Sequence, residues 1–305
     1  LFRRHNDVRE IEGDKKNLSV GLCNLSNTLR LVGALRESEA AARRALVITR
    51  EQSNRTQEAT SLNWLGLTLA ALSIARESES ALQRALEIDS ANGGAQAQGV
   101  DIDYLAQRAL WFGDSTAALV FADRAWELAH NAQYESDFIR AARLQGTAAL
   151  GLNDFANADE RLHHARTRAR AVNFVEEQLP AFVALAELRR RQKDLKAARE
   201  LLDDVREPAE RGPYPLFHAD AFNVLAQIER DAGNHAAAVD AATKAYRLAW
   251  CDGEPYAYHW GLVAARKHLR ELVAPEPPMP PFDESKYEPM PEVEINPKDE
   301  FHVDV

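Results

Sequence analysis

Small residues recur in this chain at a fixed interval of 40 positions, and that period limits the fold more than any other feature. Turn-forming residues stand at Gly33, Ser73, Gly113, Asn153 and Gly233, and Lys193, also in the series, is followed by Asp194. Seven residues before each turn come Ser26, Gly66, Ala106, Gly146, Ala186 and Ala226. Five residues after come Ser38, Ser78, Ala118, Ala158, Ala198 and Ala238; twelve after come Ala45, Ala85, Ala125, Ala165, Val205 and Ala245. Three columns of small residues in phase over six copies define a tandem repeat.

Alanine, Leu, Arg and Glu dominate the composition while Gly and β-branched residues are sparse, so each copy reads as a pair of helices flanking the turn. The first helices are expected near 18–32, 58–72, 97–111, 137–151, 178–192 and 218–232. The second helices are expected near 34–50, 77–89, 116–130, 156–171, 196–206 and 236–250. The small columns let the two helices of a pair cross closely. A larger column (Leu25, Leu65, Leu105, Leu185, Leu225, with Gln145 as the exception) fills the space beside them. Each pair leaves an apolar face that only the next pair can cover, which predicts an all-α solenoid of about six units. The units run near 17–56, 57–96, 97–136, 137–176, 177–216 and 217–255.

The ends are read from the same register. Residues 1–16 are expected to be the second helix of a preceding repeat, with Phe2, His5 and Val8 on its core columns, as in a fragment of a longer protein. Residues 256–273 are expected to form a capping helix. The aromatics Tyr246, Trp250, Tyr256, Tyr258 and Trp260 would plug the last repeat. The segment 274–305 holds eight of the 13 prolines, which excludes regular helix over most of it. It also holds nine acids and two lysines, so it supplies −7 of the chain's net −10. Phe282, Tyr287, Met290, Val293, Ile295, Phe301 and Val303 give it apolar anchors for docking, with the stretch 282–305 folding back on the array and the groove as one destination.

Catalytic and metal signatures are missing. The chain has neither GxxxxGK[ST] nor GxGxxG, and no cysteine pair at zinc spacing. The single Glu-x-x-His from Glu160 to His163 lacks the second copy that two-metal helical bundles use. We therefore expect no enzyme activity, no metal and no cofactor. The basic runs 161–170 and 189–196 are interleaved with acids on a nearly balanced body, which favours repeat-to-repeat ion pairs over nucleic acid. No apolar run approaches the roughly 18–20 residues that span a bilayer, so a soluble chain without membrane contact is expected. Cys23 and Cys251, expected at opposite ends of the array, indicate a reducing, cytoplasmic setting.

The stretch GTAALGLNDFANADERLHHA (146–165) resembles the tetratricopeptide repeat, and the resemblance covers about residues 18–250. It departs from that family in its 40-residue period, where the common repeat has about 34, and in lacking the usual aromatic of the first helix. The resemblance implies a right-handed solenoid that binds a protein or peptide along the concave surface of its first helices. In register, the groove positions are Cys23, Asn27 and Arg30; Asn63 and Leu67; Asp103, Gln107 and Trp111. The later units supply Arg140, Arg143 and Thr147; Val183, Glu187 and Arg190; Asn223, Gln227 and Arg230. The Lys/Asn clamp of chaperone-binding members is not reproduced. Arg140, Arg143 and Arg190 beside Trp111 form a basic centre suited to an acidic peptide.

Longer repeats such as EAAARRALVITREQSNR (39–55) resemble the C-terminal sensor arrays of bacterial signal-transduction NTPases, the MalT-like, STAND and NACHT-bearing proteins. That resemblance implies the ligand-sensing region of a larger bacterial signalling or defence regulator. A substrate-recruiting arm or regulatory subunit of an enzyme, and a structural assembly scaffold, are the alternatives.

Overall fold

The computed structural model describes residues 2–212 and 214–296. Its helices keep a shorter rhythm than the sequence columns. Those from α2 (Lys15–Leu31) to α6 (Ala95–Trp111) are each 17 residues long, by way of α3 (Leu35–Glu51), α4 (Arg55–Ala71) and α5 (Ala75–Ala91). The series continues through α7 (Ser115–Ala132), α8 (Glu135–Gly151), α9 (Phe155–Ala171), α10 (Val175–Arg191), α11 (Leu195–Arg211), α12 (Pro215–Asp231) and α13 (His235–Trp250). A short α1 (Phe2–Ile11) precedes them and α14 (His259–Glu271) follows.

The turns explain this rhythm. Left-handed residues occur not only at Gly33, Ser73, Gly113, Asn153, Lys193 and Gly233, but also between the hairpins at Gly13, Ser53, Gly93, Gln133, Asn173 and Gly253. A left-handed residue after the last helical turn satisfies carbonyls that have no partner further along and stops the helix. The next residue is often an Asp or Asn that starts the following one. Asp14, Asn54, Asp114, Asp154 and Asp194 each accept a hydrogen bond from the backbone N–H three residues on. Stop and start signals are thus adjacent, and each connection is reduced to a tight bend.

All the non-glycine members of the three small columns are buried. Their purpose is seen most directly at Gly66 and Gly146. A Cβ at Gly146 would lie 2.6 Å from Leu162 Cγ and 3.0 Å from the Leu162 backbone nitrogen, and one at Gly66 would lie 2.6 Å from Leu82 Cγ. Ser26 fills the same place in the first hairpin and turns the approach into a hydrogen bond, donating to Ser38 O at 2.9 Å. The Ser38 hydroxyl in turn lies 2.9 Å from Thr68 Oγ1, which ties α2, α3 and α4 together.

Two expectations at the N-terminal end change. Val8 is half exposed, and Asn6 packs on α2 instead, its Oδ1 occupying the space a side chain at Gly21 would need. Cys251 does not sit far from the first hairpin. Its Sγ would be 3.1 Å from a Cβ on Gly33, because the solenoid curls until its last unit meets its first. Leu35, Ala71 and Leu72 consequently share one apolar cluster with Leu216, Tyr246, Tyr258 and Leu262. The Trp260 indole N–H donates to Ala70 O at 2.8 Å, and its ring stands edge-on to Phe112 at 4.8 Å.

Residues 274–296 strap this closure on the outside. Trp250 Nε1 donates to Pro280 O at 2.8 Å, and the Phe282 ring lies between Tyr256 at 4.9 Å and Tyr287 at 5.4 Å. The strap then follows α3. Arg36, 1% exposed, donates to Glu288 O at 2.9 Å while its guanidinium faces the rings of Tyr256 and Tyr287. Arg50 donates to Ile295 O at 2.9 Å, and Val293 and Ile295 pack on a cluster containing Leu46 and Leu62. Phe301 and Val303, expected as further anchors, lie outside the described residues. No helix among the described residues is long and apolar enough to cross a membrane.

Two outcomes test this packing. Gly146→Ala should cost about 1–3 kcal/mol in chemical denaturation, and Leu162→Ala in the same chain should make the two effects less than additive. Arg36→Ala should cost about 2–3 kcal/mol and raise hydrogen exchange over 286–296, since it removes a buried charged donor and a cation between two rings.

Candidate functional site

Curling forms a half-open cavity of about 730 Å³ whose wall comes from the concave-side helices α2, α4, α6, α8, α10 and α12. Tyr258 and Trp260, at the start of α14, contribute to the wall. Trp64, Tyr104, Trp111, Phe174 and Phe217 join the cap residues as aromatic parts of a wall that also carries aliphatic and charged side chains.

Of the groove positions read from the sequence, the cavity brings together Asn27, Arg30, Leu67, Asp103, Gln107, Trp111, Arg140, Arg143, Thr147, Val183 and Glu187. The others are used in seams. Cys23 Sγ lies 3.3 Å from Ser61 Oγ, and Asn63 donates to Asp101 Oδ1 at 2.6 Å, both across the α2–α4–α6 wall. Arg190 holds Glu187 at 2.7 Å and Asp231 at 2.6 Å, and Arg230 pairs with Glu271. Asn223 donates to Gly261 O at 3.0 Å, because the capping helix covers the last unit where a ligand would otherwise lie. Gln227 is half-buried on α12 outside the cavity wall.

The sequence reading did not find Tyr104, Phe174, Glu177, Asp220, Tyr258 or Trp260 as wall residues. A stripe of groove positions suits an open, gently curved array. A tightly curled one presents a wider arc of each helix, so Tyr104 joins its neighbour Asp103. Tyr258 and Trp260 enter through the closure.

The expected basic centre is corrected by its partners. Arg143 is bonded to Glu177, and Arg140 reaches the same carboxylate through Nε at 3.3 Å. Arg140 also lies 3.7 Å from Asp137 and 3.8 Å from Asp103, with its guanidinium over Tyr104 and Phe174. Arg30 donates to Asn27 Oδ1 at 2.8 Å. Lining acids outnumber lining arginines, with Asp103, Asp137, Glu176, Glu177, Glu187 and Asp220 against Arg30, Arg140 and Arg143. The basic runs outside the cavity are similarly engaged: Arg168 pairs with Glu135 at 2.6 Å and Arg189 with Asp159 at 2.6 Å.

The acids differ in how well they are met. Neither Asp103 oxygen accepts a hydrogen bond although the residue is 1% exposed. Burial drives its carboxyl well above the ordinary range, against the pull of Arg140 and with help from Glu177 and Asp137. Asp220 accepts one bond, from the Tyr258 hydroxyl at 3.1 Å, and burial pushes it up to about 7. On Arg140, burial opposes the charge, but Tyr104, Glu177, Asp103 and Asp137 outweigh it and hold the guanidinium protonated.

The Asp220 shift has a defined sign. The folded state keeps its proton up to about 7, whereas an unfolded Asp releases it near about 4. The unfolded chain therefore binds fewer protons in that window, so this group makes stability fall as pH rises from about 4 to about 7 and leaves it level above. Asp220→Asn removes the effect, and its melting midpoint should drop less than that of the parent between about pH 5 and about pH 7.5.

No model of a known protein family matches the chain, and no curated protein matches it. Among solved structures, BtubC (BKLC) of P. vanneervenii is similar at 16% identity with a TM-score of 0.50, over 72% of this chain and 89% of that one. PilF of Pseudomonas aeruginosa aligns at 15% identity with a TM-score of 0.47, over 85% of this chain and 99% of that one. At 16% identity the likeness to BtubC concerns the fold alone, an all-α solenoid of tetratricopeptide-like helical repeats.

Proposed function

We propose that this chain is a protein-interaction scaffold that takes a peptide segment of its partner into the cavity along the concave helices. The observation that carries the reading is the wall itself. It joins aromatic surface to a few convergent polar groups on rigid helices, the composition of a recognition site. The backbone of each helix is satisfied internally, so specificity falls to side chains such as Asn27, Gln107, Arg140 and Thr147.

The finer role we propose is the ligand-sensing region of a larger bacterial signalling or defence regulator. The closure supports it. Tyr258 and Trp260 touch the cavity with one face and the earlier hairpins, at Ala70, Trp111 and Phe112, with the other. Occupancy would then bias how firmly the last unit seats on the first three, and a neighbouring module could read that difference.

Selection from a random peptide display library against the whole chain should enrich a defined sequence motif. Gln107→Trp and Val183→Trp, which fill the cavity from two helices, should weaken the selected peptide more than about tenfold with an unchanged melting midpoint. Enriched peptides that bind both variants as well as the parent would place recognition on another surface and overturn the assignment.

A further inference from the structure

The cavity holds an unequal balance of satisfied and unsatisfied charge. Arg143 and Arg140 are paired with Glu177, whereas Arg30 holds only the neutral Asn27 amide, and Arg140 Nη1 and Arg30 Nε have no hydrogen-bond partner. At Arg140 or Arg143 an incoming carboxylate would have to displace Glu177 while standing among Asp103, Asp137 and Glu176, and the six lining acids outnumber the three arginines. Two acids are in the opposite position. Asp103 is enclosed with both oxygens free of hydrogen bonds, its nearest cation, Arg140 Nη1, lying at 3.8 Å. Asp220 has only the neutral Tyr258 hydroxyl.

A buried carboxylate without a donor, as at Asp103, is costly, and such an orphan marks a place where a missing partner belongs. Here the walls around them are aromatic faces, which attract cations through their quadrupoles. Arg140 already lies over two of them, its guanidinium 5.6 Å from the Tyr104 centroid and 5.8 Å from that of Phe174.

We infer that the cavity takes an organic cation, an ammonium or guanidinium on an apolar stem, with Asp103 and Asp220 as the anions that receive it and the aromatic walls enclosing the stem. Asp103 marks the place of the charged head, because neither of its buried oxygens accepts a hydrogen bond. The raised carboxyls agree, since burial without a counter-charge lifts an acid and a bound cation reverses that shift. The same chemistry is offered by a free amine and by a basic side chain of a peptide. The inference rests on the cavity being the binding site and replaces the acidic ligand expected from the sequence with a basic one.

Calorimetric titration of the full chain separates these cases. The probes are 2-phenylethylammonium, its neutral isostere 2-phenylethanol, the anion 3-phenylpropionate, and a short peptide with one central arginine beside its citrulline counterpart. The cationic probe should bind at least about tenfold more tightly than the alcohol, and Asp103→Asn and Asp220→Asn should each remove about tenfold of that preference. Hydrogen exchange on each variant checks that the fold is kept. Binding of the amine supports a free small molecule as the source. Binding of the arginine peptide over the citrulline peptide, without the amine, supports the same chemistry from a peptide. Equal binding of ammonium and alcohol, preference for the anion, no binding by any probe, or variants that bind like the parent would overturn the inference. A peptide that binds regardless of its charge leaves the scaffold reading standing and removes only the cation.

Discussion

The close approach of paired helices is what the remaining architecture depends on. At Gly66 and Gly146 even a methyl group would collide with the Leu nine positions beyond the turn, and Ser26 converts the same contact into a hydrogen bond. Interiors are packed at the density of organic crystals, so a crossing of this kind fixes the relative placement of two helices to a fraction of an ångström. Repeated with constant length and constant turns, a fixed pair geometry adds up to a fixed curl. The hairpin contact therefore sets the radius of the solenoid, and the radius sets whether its ends can meet.

They do meet, and the meeting changes the nature of the concave surface. In an open array the groove is a long exposed face. Here the final unit and the capping helix cover part of it, and the groove becomes a half-open cavity of about 730 Å³. Enclosure alters the energetics of every group on the wall. A charge that would be solvated in a groove must find a partner or give up its charge in a cavity. Arg140 and Arg143 both pair with Glu177, with Arg140 Nη1 left without a hydrogen bond, while Asp103 and Asp220 have raised carboxyls. The outer strap stabilises the arrangement from the other side. It threads Arg36 and Arg50 of α3 onto its backbone carbonyls and joins the last unit to the first.

Much of the fold was legible because its signals are local and periodic. The small columns placed the helix crossings, and the turn residues placed the ends of the first helices almost without error. The half-period was harder to see. Turns between hairpins use Ser53, Gln133 and Asn173 in the left-handed region, and a Gln or Ser there carries a weaker sequence signal than Gly. In the site, Asn27, Arg30, Asp103, Gln107, Arg140, Arg143 and Thr147 were reachable by counting along helices. Their partners were not. Arg143 meets Glu177 across a gap of 34 residues, and Tyr258 meets Asp220 across 38.

What the sequence by itself determined is the module: a pair of helices around each intra-hairpin turn, the face that each pair buries, and an all-α stack as the way to bury it. These follow from spacing, because helical periodicity and turn chemistry act over a few residues. Tertiary structure decided the closure of the stack, the route of the strap, and the charge that a ligand would meet. Closure depends on small rotations accumulated over many hairpins, and no single spacing records their sum. The charge of the cavity depends on which arginines find a carboxylate, a property of pairs brought together only once the array has curled.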